Sequence, residues 1–216
     1  MLRSVLGAGV GVVRGAVTAS GRRAASLSPL QRVVLAAGAA VGAFLDPTRA
    51  DLVSALGETT GLEALRTMRA QMARDETGAR ILAERPMIDS ATAAEAAAAL
   101  AADEAAGVVA NTPESSFAAA YGTFLATHGF SPDERPAVRF VDDDELAYVM
   151  LRYRQVHDFW HVLYGVKPDV EGEVMLKWIE AGETGLPMNV LSALAGPFIT
   201  SHHPQQPQGT AHVCVL

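Results

Sequence analysis

Two histidines four residues apart, His157 and His161, end a long stretch that keeps one helical register, and this arrangement limits the fold more than any other feature of the 216-residue chain. Asp142-Asp143-Asp144-Glu145 puts negative charge where a helix dipole is positive. Leu146, Val149, Met150 and Tyr153 then recur at three- and four-residue intervals as an inward stripe. The same register reaches His157, Trp160 and His161. Residues i and i+4 lie about 40° apart around the axis, so the two imidazoles share a face, and Asp158 is about 60° from His161. Gly165 and Pro168 break the helix. Asp169 caps a second one carrying Glu171, Glu173, Lys177, Trp178 and Glu180. A short link makes the two helices antiparallel neighbours and turns a first-turn carboxylate of the second toward the histidines of the first.

Two imidazoles with carboxylates suit Zn²⁺, and equally the two-His-one-carboxylate arrangement of non-haem iron. Without a cation, burying such a cluster is costly. The run is not the H-E-x-x-H protease motif, because Asp158 is one methylene shorter than that motif's general-base Glu. Spacing does not choose between Glu171 and Glu173. Asp158 is either a ligand or a partner that fixes a histidine tautomer.

The rest of the chain reads as helices with short connections, and the fold class expected is all-α: a single helical domain with a metal site between two neighbouring helices. Asp46-Pro47 is expected to start a short helix that stops at Gly57, and Thr60 to Glu63 has capping-box spacing. Leu62, Leu65, Met68 and Met72 form a core stripe, and Ile81 and Leu82 a further short helix stopped at Pro86. Ala91 to Ala106, with Ala at eleven of sixteen positions, reads as an exposed helix or variable linker without chemistry. Asn111 to Glu114 is expected to begin the helix bearing Phe117, Tyr121 and Leu125, which Gly129 ends. No alternating strand pattern, internal repeat, phosphate-binding Gly loop or G-x-S-x-G elbow is present.

Charge and composition exclude other classes. The net charge of −7 argues against a dedicated nucleic-acid binder. The single cysteine, Cys214, excludes a disulfide framework and Cys-based zinc ribbons. No acidic residue precedes Asp46, while Arg3, Arg14, Arg22, Arg23 and Arg32 stand among Ser, Thr and small apolar residues. This is the composition of a mitochondrial transit peptide, assigned to residues 1–27. Beyond residue 32 the chain keeps 17 − 5 = 12 basic residues against 24 acidic ones. Val33 to Leu45 carries no charge, but thirteen helical residues span about 20 Å, short of the roughly 30 Å hydrocarbon core. Membrane association is therefore expected to be peripheral, and residues 33–45 read as a buried helix or, failing that, as the membrane-contact element. The helical domain is assigned to residues 28–199. Residues 200–216, polar and Pro-rich, read as a disordered tail in which His202-His203 is a solvated pair.

His157-Asp158-x-x-His161, eleven residues and then Glu173 resembles the signature of the coenzyme Q biosynthesis protein 4 family. The likeness also covers Ser28 to Gln31, Leu56 to Gly61, Glu84 to Pro86, Phe140 to Asp143, Glu145 to Val149, Arg152 to Arg154, Val156 to Asp158, Lys177-Trp178, Thr184 to Met188 and Gly196-Pro197. It spans about 170 residues in one order. The resemblance implies a mostly helical mitochondrial protein, peripheral on the matrix side of the inner membrane, in the complex that builds ubiquinone. It implies His157, Asp158, His161 and Glu173 as metal ligands, and favours Glu173 over Glu171. The metal is usually zinc; iron or manganese would be needed if the chemistry is oxidative. The implied activity is that of a lyase removing the C1 carboxyl of 4-hydroxy-3-methoxy-5-polyprenylbenzoate, with or without coupled C1 hydroxylation. Deprotonating the phenol para to that carboxyl pushes electron density onto C1, and protonation there lets carbon dioxide leave. The alternative is a non-catalytic lipid-binding scaffold of the complex. For Met150, Tyr153, Trp160, Leu163 and the apolar 186–199 segment two readings stand: lining a surface for the prenyl tail, and ordinary core packing, which is favoured for each. Because family members continue beyond Ile199, this ending is expected to lower stability and activity.

Overall fold

The computed structural model describes residues 27–46, 49–110 and 112–202. Among these residues the chain forms α1 (Pro29–Leu45), α2 (Ala50–Thr60), α3 (Leu62–Met72), α4 (Glu76–Glu84), α5 (Ser90–Ala105), α6 (Phe117–His128), α7 (Asp144–Tyr164), α8 (Val170–Thr184) and α9 (Pro187–His202). One 3₁₀ turn, Pro132–Glu134, precedes α7, and no strand occurs among the described residues. The all-α expectation is met. The bulk of the expected transit peptide and of the tail lies outside the described residues. Thr200 to His202, assigned to the tail, continue α9.

Several local boundaries differ from the sequence reading, each for a visible reason. Asp46 ends α1, donating its N–H to the Gly42 carbonyl, and α2 begins after Arg49 without a side-chain cap. Pro47 lies outside the described residues. Gly57 does not stop α2: it is the point where Met188 of α9 lies against the helix, and a Cβ there would meet the Met188 sulfur. The capping box at Thr60 does not form, because Gly61 is the N-cap and the Thr60 hydroxyl donates to the Leu56 carbonyl at 2.7 Å. α6 starts at Phe117 under a Ser116 cap; Asn111 is not described. The alanine-rich segment is a helix, but it is packed along one face. Ala96 is buried against α6, and a Cβ on Gly122 would lie 2.5 Å from the Ala96 carbonyl oxygen.

The main core joins α2, α3, α7 and α9 through Val53, Leu56, Leu65, Tyr148, Val149, Met150, Leu186 and Met188. Each large apolar side chain buried there contributes roughly 1.5–3 kcal/mol. A second cluster holds α5 and α6 against α7 through Ala96, Tyr121, Leu125 and Phe159. Met150 and Tyr153 are core residues, as the packing reading has it, whereas Leu163 is exposed.

A fully buried ion pair ties α2 to α7. Arg154 donates to Glu58 Oε1 at 2.7 Å and to the carbonyls of Pro136 and Ser54. Glu58 Oε2 accepts the backbone N–H groups of Arg139 and Phe140, both at 2.7 Å. The segment that leads into α7 is thereby pinned to α2.

α1 packs alanines inward and leaves Leu30, Val33, Val34, Val41, Phe44 and Leu45 exposed. Arg32 holds its first turn to the Phe140 carbonyl and to Asp142. No helix of the described residues is long and apolar enough to cross a membrane.

Candidate metal centre

The centre lies between α7 and α8. Asp143 caps α7 by accepting the N–H groups of Glu145 and Leu146, and Gly165 ends it in the left-handed region at φ 63°. Asp169 caps α8 by accepting the Gly172 N–H at 2.8 Å. A Cβ on Gly172 would be driven into the Lys167 carbonyl oxygen, so a glycine there lets the link close tightly. This tight link brings the first turn of α8 against the last two turns of α7.

His157, His161 and Glu173 meet in this cleft, all three buried. His161 Nε2 is 3.2 Å from His157 Nε2 and 3.1 Å from Glu173 Oε1. His157 Nε2 is 3.4 Å from Glu173 Oε2. The opposite ring nitrogens face acceptors. His157 Nδ1 lies 2.6 Å from Glu180 Oε1, and His161 Nδ1 lies 2.9 Å from the Val166 carbonyl. With protons on both Nδ1 atoms, two Nε2 lone pairs and a carboxylate converge with no donor among them. Glu173 Oε2 is buried without a hydrogen-bond partner. Such a group of acceptors is costly in a dry interior unless a cation or proton sits among them. The donor set therefore fits a divalent metal.

Electrostatics point the same way. Burial opposes ionisation of His157 and Lys177 adds to that, but the charges of Glu180 and Glu173 outweigh both and raise His157 to about 9. Burial likewise works against the Glu173 charge; His157, His161 and Lys177 overcome it and hold the carboxyl well below its ordinary range. In the metal-free cluster a proton on His157 thus takes the place of the missing positive charge.

Of the four residues expected as ligands, the structure brings together His157, His161 and Glu173. Asp158 is turned away on α7 and forms an ion pair with Arg135, which also donates to the Pro132 carbonyl. The 60° that separates Asp158 from His161 is enough to aim it at the 3₁₀ turn instead of the cleft. Glu171, the rival to Glu173, is in the first turn of α8 but outside the cluster.

Sequence reasoning did not single out Glu180, Lys177, Tyr153 or Asn189 as parts of the centre. Lys177 Nζ donates to Glu180 Oε2 at 2.6 Å, and the Tyr153 hydroxyl donates to the same oxygen at 2.7 Å. That hydroxyl also lies 2.9 Å from Asn189 Oδ1 on α9. Available signals were the spacing Glu173, Lys177, Glu180, which puts all three on one face of α8, and the position of Tyr153 one turn before His157. Phe124 of α6 stacks on His161 with ring centroids 5.6 Å apart, closing the apolar side of the centre.

The fold and site define a helical protein with a buried two-histidine, one-carboxylate cluster. Residues 22–212 match the model of the coenzyme Q (ubiquinone) biosynthesis protein Coq4, and the chain belongs to that family. It is 50% identical over 170 residues to the mitochondrial ubiquinone biosynthesis protein COQ4 homolog of Bos taurus, a match covering 79% of this chain and 60% of the relative. Identity to the Homo sapiens homolog is 47% over the same length and shares. The Culex quinquefasciatus homolog 2 is 44% identical over 177 residues, covering 82% of this chain and 74% of the relative. The chain thus spans about 60% of the length of the mammalian relatives it matches. No solved structure matches.

Proposed function

We propose that this protein acts in mitochondrial ubiquinone biosynthesis as a metal-dependent carboxy-lyase that removes the C1 carboxyl of 4-hydroxy-3-methoxy-5-polyprenylbenzoate to give 2-methoxy-6-polyprenylphenol. The observation that carries this reading is the convergence of His157 Nε2, His161 Nε2 and Glu173 in a buried cleft where Glu173 Oε2 has no hydrogen-bond partner. Those three residues would hold the ion, zinc for simple decarboxylation and iron or manganese for a version coupled to C1 hydroxylation. A bound divalent ion supplies a Lewis acid for the carboxylate or phenolate of the substrate.

The chain's own residues support an anionic ligand. With both imidazoles neutral, the charges of Glu173, Glu180 and Lys177 leave one net negative charge, which a divalent ion converts to one net positive charge. Lys177 is buried and held on Glu180, so it adds fixed positive charge beside the cleft. Phe124 and its neighbours exclude water from the His161 side. The exposed apolar face of α1 suits contact with the matrix face of the inner membrane, where the prenylated substrate would reside. The other proteins of the biosynthetic complex are the partners this reading requires.

Elemental analysis of the purified chain beside a His157→Ala/Glu173→Ala variant tests the reading. About one metal ion per wild-type chain, absent from the variant, together with carbon dioxide release from the prenylated benzoate by wild type only, is the expected result. A folded wild-type chain that neither holds nor takes up metal sinks it.

A further inference from the structure

Glu173, Lys177 and Glu180 project from one face of α8, the last two residues being one and two turns beyond the first. Glu180 is fully buried and accepts from three donors: the Lys177 ammonium, the Tyr153 hydroxyl and Nδ1 of His157. Tyr153 is one helical turn before His157 on α7, so Glu180 grips two successive turns of that helix. Tyr153 is itself braced by Asn189, whose amide donates to the Thr184 hydroxyl at 3.2 Å. Three helices, α7, α8 and α9, therefore fix the place of one carboxylate whose free face meets a single atom, His157 Nδ1.

The partner of the other histidine is of a different kind. His161 Nδ1 faces the backbone carbonyl of Val166, a neutral acceptor supplied by the turn that ends α7. One imidazole is thus backed by a charged side chain and the other by a peptide group.

Resting on the metal reading above, we propose that Glu180 is a positioning residue for the metal centre: it keeps the His157 proton on Nδ1, turns the Nε2 lone pair into the cleft and makes that imidazole the stronger of the two donors. Carboxylates behind ligating histidines act in this way, and their loss typically weakens metal binding by about 10- to 100-fold. Lys177 and Tyr153 hold Glu180 in place through its Oε2.

Co²⁺ titration of the full chain, followed by its visible absorption and by chelator competition, tests this. Four proteins are compared: wild type, Glu180→Gln, the double variant Glu180→Leu/Lys177→Met, and His157→Ala. The double variant removes both buried charges together, which avoids leaving an unpaired ammonium in the core. Its melting temperature reports whether the fold is intact. Wild type is expected to bind one Co²⁺ and His157→Ala none. Glu180→Gln, which keeps an oxygen able to accept from Nδ1, should bind with affinity reduced by about tenfold or less. The double variant should bind at least tenfold more weakly than Glu180→Gln even where it melts like wild type. A double variant that melts normally and binds Co²⁺ as tightly as wild type overturns the positioning role while leaving the metal reading in place. Absence of Co²⁺ binding by wild type overturns both. Should the double variant not fold, equal affinities of Glu180→Gln and wild type, with an unchanged His157 Nδ1 proton resonance, overturn the positioning role.

Discussion

Helix α7 carries two buried polar clusters one turn apart, and they are built on opposite plans. At Arg154 the guanidinium, the Glu58 carboxylate, two backbone N–H groups and two carbonyls match donor to acceptor. At His157 and His161, two ring nitrogens and a carboxylate face one another, and Glu173 Oε2 is left without a hydrogen bond. Burial is the same in both, with all five ionisable groups nearly inaccessible. A closed cluster needs nothing further and serves the fold. An incomplete one costs stability unless a cation or proton sits among its acceptors, which is why the metal proposal falls there.

Breaking the closed cluster should give the largest effect on stability. Arg154→Met leaves the Glu58 carboxylate buried without its counter-charge, at a cost of about 3–5 kcal/mol. Adding Glu58→Leu should recover most of that loss, because removing both charges also removes the desolvation penalty. Denaturant melts of the single and double variants measure both steps. A single variant as stable as wild type would show that Glu58 and Arg154 are not buried as described.

The incomplete cluster should respond less in the absence of metal. In the metal-free chain the proton on His157 faces both Glu173 and Glu180, and Glu180 still balances it in Glu173→Gln, so that variant should lose less stability than Arg154→Met. It also loses the gain on adding metal, which for wild type is about 2.7 kcal/mol at a hundredfold excess over Kd. Thermal melts with and without Zn²⁺ separate the two. Destabilisation of metal-free Glu173→Gln by more than the wild-type metal gain would mean that Glu173 serves the fold, as Glu58 does.

How much of this contrast can be read from the sequence follows from distance along the chain. His157, His161 and Glu173 are brought together by one helix, one short link and the next helix, and local periodicity reaches across that span. Glu58, the charged partner of Arg154, lies 96 residues away on α2, so nothing in the local pattern pairs the two. Glu180 is close in sequence yet was read only as one of several carboxylates, because spacing shows that it shares a face with Glu173 but not that α9 buries it. Gly57 misleads for the same reason. Its signal as a helix stop is local, and the packing of Met188 that overrides it is not.

Acidity sharpens the comparison further. In the metal-free chain, His157 is raised to about 9 against an ordinary 6.5, so its proton stabilises the fold fully below pH 6.5 and that contribution is lost as pH rises through 9. Glu180 runs the other way. Burial opposes its charge, but Lys177 and His157 lower it to about 2, so its contribution is present above about 4.5 and is lost as pH falls toward 2. Metal-free stability should thus be greatest between about pH 4.5 and 6.5 and fall by about 2 kcal/mol from pH 7 to 8.5. A metal on Nε2 replaces the His157 proton, so the alkaline decline should disappear in the loaded protein. Melting temperatures measured against pH with chelator and with Zn²⁺ decide this: identical alkaline limbs would mean that no ion displaces that proton.

The smallest effect is expected at Asp158, which the resemblance groups with the metal ligands and the structure places with Arg135. Both side chains retain some contact with solvent, so Asp158→Asn should cost only about 1 kcal/mol. The variant should still take up one metal ion per chain with nearly wild-type affinity, since the three converging groups remain. Retained metal with a small loss of stability would assign Asp158 to the closed, structural kind of contact. Loss of metal would mean that its carboxylate leaves Arg135 when a cation arrives, and the line between the two clusters would then run through Asp158 itself, with Arg135 holding a ligand in reserve.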